Sequence, residues 1–137
     1  MWILFAFLSA FFAALTSILA KIGIKDLNSN VATAVRTVVV LLLSWAVVFA
    51  TGKHQDLGHI GQKNLLFLVL SGIATGLSWL CYYRALQLGD ASKVIPIDKF
   101  SLVIGMVLAF VVLKETITIK TIIGGFLISA GTLVLVF

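Results

Sequence analysis

The chain has 137 residues, 61% of them hydrophobic and only 11% charged, whereas soluble domains carry about 25% charged and roughly 45–50% apolar residues. Those proportions exclude a water-soluble domain, a disordered chain, a collagen and a disulfide-rich secreted scaffold, and the single cysteine, Cys81, excludes an internal disulfide. The composition is that of an integral membrane protein.

Windows free of charge run over 1–20, 37–52, 64–83, 100–113 and 121–137. A helix needs about 20 residues to cross roughly 30 Å of hydrocarbon, with about 17 as the practical lower bound. The first, third and fifth windows meet that length unaided. The second and fourth, 16 and 14 residues long, reach it only by extending backwards, to Val31 across Arg36 and to about Ala91 across Lys93, Asp98 and Lys99. The pattern predicts an all-α membrane protein, a bundle of five transmembrane helices near 2–22, 31–51, 64–88, 91–114 and 117–137, in one domain over 1–137. The stretch Trp2 to Ala14 is read as the start of a transmembrane helix, because it lacks a basic leading region and its apolar run is too long for a signal peptide.

The connections read as turns. Residues 25–30 close the first hairpin, with Asn30 expected to cap the second helix. Gly52 to Lys63 is the one long loop. Gly89 is expected to end the third helix and Asp90 or Ser92 to cap the fourth. Lys114-Glu115-Thr116 joins the last two helices. Five spans put the termini on opposite faces. Lys53, Lys63, Lys114 and Lys120 then share the N-terminal face. Lys21, Lys25, Arg84 and Lys93 lie on the other, with Arg36 and Lys99 embedded near it. The count is four against four, or four against six with the embedded pair. Lys/Arg bias sets orientation; here it is weak, so insertion both ways round, a dual topology, is expected.

Ionisable groups inside a span usually face the bundle interior or a water cavity. Asp98 lies about 10 Å along the fourth helix at 1.5 Å per residue. It follows Pro96, which frees the carbonyl of Ser92 and is read as a helix break. Asp98 and Lys99 diverge by about 100°, so each is expected to need a partner elsewhere: another helix, water or a substrate. Lys21, Arg36, Arg84 and Asp98 all fall in the membrane half away from the N-terminus. Tyr82 and Tyr83 share that level, and Trp79 lies a turn deeper. Together they outline a basic, aromatic-lined chamber holding one carboxylate. Lys21, Arg84 and Tyr83 fit snorkelling and an interfacial belt better; Asp98 and Arg36 fit a functional site or a buried ion pair better. Gly72 with Gly76, and Gly125 with Ser129, have the spacing that lets helices approach closely. His54 and His59 have only Asp56 nearby, no nucleophile has an oriented base, and no glycine loop would cradle phosphate. No enzyme, metal site, cofactor or nucleic-acid partner is expected.

The stretch Tyr83-Arg-Ala-Leu-Gln-Leu-Gly-Asp-Ala-Ser-Lys-Val-Ile-Pro-Ile-Asp-Lys-Phe-Ser resembles the signature of the EamA family of the drug/metabolite transporter superfamily. So do Leu113-Lys-Glu-Thr-Ile-Thr and Ile123-Gly-Gly-Phe-Leu-Ile-Ser-Ala-Gly131. Upstream, Lys21 and Arg36 match the family's Lys and Arg placements. The resemblance implies one half of an inverted-repeat transporter, since typical members have ten helices in two inverted halves of five. It also implies pairing with a second copy, for which an antiparallel homodimer would reproduce the repeat. The last helix is similar to the final helix of small multidrug resistance proteins, whose Gly-rich face pairs subunits, with Gly124 and Gly131 on the matching positions. Helix one carries no glutamate of the kind those exporters use, offering Ser9, Thr16 and Ser17 instead, which speaks against proton-coupled cation export.

The resulting expectation is a multi-pass protein of the cell (inner or plasma) membrane, surrounded by lipid, that carries a small metabolite by alternating access as a dimer. Asp98, Lys99, Arg36 and Lys21 would line the pathway, with Trp79 and Tyr82 stacking on substrate. The excess of embedded basic groups favours an anionic or zwitterionic substrate such as an amino acid or organic acid. The alternatives are a subunit of a flippase for a lipid-linked group, with Arg36 and Lys99 holding phosphate, and a membrane scaffold that transports nothing.

Overall fold

The computed structural model describes all 137 residues and contains helices but no strand. The elements are α1 (Trp2–Gly23), α2 (Ser29–Ala50), a 3-10 segment (Lys53–His59), α3 (Gln62–Leu88), α4 (Ala91–Lys99), α5 (Ser101–Leu113) and α6 (Ile119–Val136). Five stretches are long and apolar enough to cross a membrane: α1, α2, α3, α4 with α5, and α6. Helices are the natural outcome, because in hydrocarbon every backbone amide must find its partner within its own segment. The same demand governs the hydroxyls. Ser17, Thr33, Thr37, Ser44, Thr75 and Ser129 each donate to the carbonyl four residues back, at 2.7–2.9 Å.

The fourth span is two helices, and the interruption is not at Pro96. Pro96 sits inside α4, where its fixed φ is itself helical, so the chain winds through it at the cost of one hydrogen bond. The interruption comes at Phe100. The Phe100 amide reaches the Ile97 carbonyl and the Val103 amide reaches the Phe100 carbonyl, each at 3.0 Å, a local 3-10 tightening.

The ends of the helices also depart from expectation. Asn28, not Asn30, caps α2: its extended backbone lets the side-chain oxygen accept from the Asn30 amide at 2.9 Å. Asp90 occupies the cap position of α4 without a side-chain cap bond, and Ser92 lies within the helix. The last helix begins at Ile119, because Thr118 turns its hydroxyl onto the Thr121 amide at 3.2 Å. Lys114 ends α5 in the left-handed region, φ 55°, where glycine is the usual occupant. The Glu115 amide then closes onto the Ala109 carbonyl at 3.3 Å. The long loop is largely ordered as the 3-10 segment, with the His54 ring 5.8 Å from that of Phe49.

The chain forms two compact units, Ile18–Gln87 and Met1–Ser17 with Leu88–Phe137. In the first, Ala20, Ile24, Tyr83 and Leu86 form the core with Ser29 and Thr33; Ile24 and Leu86 are 1% and 0% exposed. In the second, α6 packs on α4 and α5. Gly125 is buried there, and a Cβ on it would stand 3.3 Å from the Met106 methyl. The Thr132 hydroxyl lies 3.5 Å from the Pro96 carbonyl oxygen. Most other large apolar side chains point outward, as hydrocarbon surroundings favour. Cβ atoms at Gly72, Gly76, Gly124 and Gly131 would meet nothing within 4 Å.

Candidate functional site

The site is built in the unit 18–87 from two stripes of side chains. On α2, Ser29, Thr33 and Arg36 recur at spacings of four and three, so they share one face. On α3, Trp79, Tyr83 and Leu86 repeat the same spacing. Packing Leu86 and Tyr83 into the core with Ser29 and Thr33 brings the two stripes together. The Arg36 guanidinium carbon lies 3.5 Å from the centroid of the Trp79 ring and 5.7 Å from that of Tyr83. The Tyr82 ring meets Tyr83 edge-on, with centroids 6.4 Å apart.

Arg36 is half-buried, and no carboxylate of its unit forms an ion pair with it. A desolvated cation–π contact is worth about 2 kcal/mol, whereas withdrawing an ion from water costs several kcal/mol. The stack therefore holds the guanidinium in place but compensates its charge only in part. An anion arriving at its N–H edge would complete the compensation.

Two other basic groups of this unit, Lys21 and Arg84, are engaged by the protein. Lys21 Nζ donates to the carbonyl of Leu86, one of the last carbonyls of α3, which have no partner inside their own helix. Arg84 Nη1 donates to Gln87 Oε1 at 2.7 Å, and Gln87 Nε2 donates to the Leu27 carbonyl at 2.8 Å. These bonds tie the end of α3 to the end of α1 and to the turn before α2. Lys21 thus holds helix ends together at the place the sequence reading assigned to the pathway.

Asp98 and Lys99 belong to the other unit. Contrary to the expectation from their divergent Cβ directions, they pair with each other, Nζ to Oδ2 at 3.6 Å. The flexible four-carbon lysine stem carries the ammonium round the helix. With the Lys99 side chain 48% and the Asp98 side chain 35% exposed, this is a weak contact of the kind worth at most about 1 kcal/mol.

A match to the EamA-like transporter family extends over residues 1–137. The chain belongs to the EamA-like transporter family. Among curated proteins, an uncharacterized transporter in the cobO 3′ region of Sinorhizobium sp. is 47% identical over 134 residues, 98% of this chain and 95% of that protein. An uncharacterized protein of Methanocaldococcus jannaschii is 31% identical over 103 residues, 69% of this chain and 75% of that protein. No solved structure matches. With five apolar spans, this EamA-like transporter is a multi-pass membrane protein.

Of the residues singled out by sequence in this EamA-like transporter, the fold joins Arg36, Trp79, Tyr83 and Tyr82 in one unit and pairs Asp98 with Lys99 in the other. One face of the Trp79 ring, which was expected to stack on substrate, carries Arg36. Gln87 escaped the sequence reading. Its signal was the three-residue spacing from Arg84, which places the two on one helix face.

Proposed function

We propose that this chain carries a small anionic or zwitterionic metabolite, such as an amino acid or an organic acid, across the membrane by alternating access, and that it does so as a homodimer with the two copies antiparallel. The observation that carries the substrate class is the embedded Arg36 guanidinium, held on Trp79 with no carboxylate partner in its unit. A charge that costly to embed is retained where it serves a ligand. Two observations favour the dimer: Gly124 and Gly131, seven residues apart on one face of α6, leave that face open for close approach, and the loop charges are balanced between the two faces. A relative named as a transporter matches the chain over 95% of its own length, which supports transport by a chain of this size.

The test is uptake into proteoliposomes holding the purified chain, with labelled amino acids, organic acids and tetraethylammonium offered in turn. Arg36→Ala removes the charge-assisted hydrogen bonds, worth about 1.5–3 kcal/mol, and lowers anion or amino-acid uptake roughly tenfold to a hundredfold while the chain still inserts and purifies as a dimer. Saturable uptake of tetraethylammonium, undiminished by Arg36→Ala, would sink this reading.

A further inference from the structure

Which anion Arg36 prefers follows from how the guanidinium is held, given the reading of Arg36 as the substrate-binding cation. The group is flat and presents its N–H donors only in its plane. Trp79 covers one face at 3.5 Å, and the Tyr83 ring stands 5.7 Å away. A ligand therefore reaches Arg36 along its edge, where two parallel N–H groups match the two oxygens of a carboxylate. Charge sharpens the choice. Lys21 and Arg84 direct donors onto the Leu86 carbonyl and Gln87, which leaves the Arg36 guanidinium as the cation stacked on these aromatic rings. A carboxylate carries a single negative charge; a phosphate monoester carries about 1.5–2 at pH 7. One cation neutralises the first and leaves the second with uncompensated charge, which is costly where water is scarce.

We infer that the site recognises one carboxylate, held edge-on by two parallel N–H groups of Arg36, and that Trp79 is a positioning residue that fixes the guanidinium plane instead of stacking on substrate. Fixing the plane before the ligand arrives removes the entropy loss that a free arginine side chain would suffer on binding. Phosphate monoesters are selected against.

The experiment uses acetate, the smallest ligand that is little more than a carboxylate. Of the three tryptophans, Trp2 and Trp45 are changed to Phe, so that the emission of the purified full chain reports Trp79 alone. Acetate, inorganic phosphate, methylphosphonate and tetraethylammonium are titrated at constant ionic strength against chloride. Acetate is expected to shift the emission saturably, with phosphate and methylphosphonate at least tenfold weaker, and Arg36→Lys is expected to weaken acetate at least tenfold although it keeps the charge.

Phosphate or methylphosphonate binding as tightly as acetate would overturn carboxylate selection while leaving an anion transporter standing. Acetate binding unchanged by Arg36→Lys would overturn the edge-on geometry. A response to tetraethylammonium alone, or to none of the four, would overturn the underlying assignment of Arg36 as well. The role of Trp79 is read by calorimetry: Trp79→Phe keeps the preference for acetate over phosphate and Trp79→Leu loses it. A preference that survives Trp79→Leu shows that Trp79 does not position Arg36.

Discussion

Leu86 does two jobs with different atoms: its side chain, 0% exposed, packs with Ile24 and Tyr83 in the core of the unit 18–87, and its carbonyl takes the Lys21 ammonium. Both depend on tertiary approach between the ends of α1 and α3. Truncating the side chain should open a cavity in that core and cost about 2–5 kcal/mol. Leu86→Ala is therefore expected to lower the Tm of the purified protein by several degrees, while Leu66→Ala, on a side chain 57% exposed, leaves it nearly unchanged. Equal Tm values for the two variants would show that the unit is not held together at this point. Arg36 was legible from its sequence, as a cation that must lie inside a span if the second helix is to be long enough. That Trp79 would lie on its face was not legible. Their spacing along α2 and α3 gives each a face but not the rotation of one helix against the other.

At the scale of elements, the glycines of α6 divide by what faces them. Gly125 faces the Met106 methyl of α5, so a larger side chain there must displace that methyl or part the two helices. Gly131 has open space where its Cβ would be. Gly125→Leu is expected to destabilise the protein by about 1–3 kcal/mol, the usual cost of overpacking, as read from its thermal unfolding. Gly131→Leu is expected to shift the protein from dimer to monomer in light scattering. A Gly131→Leu protein that stays dimeric would remove this face from the interface. The sequence showed both glycines on a small-residue helix without telling which one the fold itself uses. The fourth span carries the same lesson. Proline marks a lost hydrogen bond, yet the interruption falls at Phe100, because proline's own φ permits the helix to continue.

For the whole molecule, few apolar side chains are buried within the chain and most are left to lipid or to a partner. The balance of lysines and arginines between the loops gives neither face a decisive claim to the cytoplasm. With Cys81 replaced by Ser, single cysteines placed at Gln55 and at Phe137 sit on opposite faces of a five-span chain. A membrane-impermeant thiol reagent applied to intact cells is expected to label each of them in part. Complete labelling of one and none of the other would establish a single orientation and exclude the antiparallel homodimer.

By itself the sequence determined the all-helical membrane class, the five spans and the presence of embedded charge. Those follow from local rules: hydrocarbon thickness sets helix length, and unpaired backbone cannot lie in lipid. The end positions of the helices, the tightening at Phe100, the pairing of Asp98 with its neighbour Lys99 and the seating of Arg36 on Trp79 were decided only in the tertiary structure. Each depends on rotamers, cap geometry or helix rotation, which many sequences with the same apolar pattern would resolve differently.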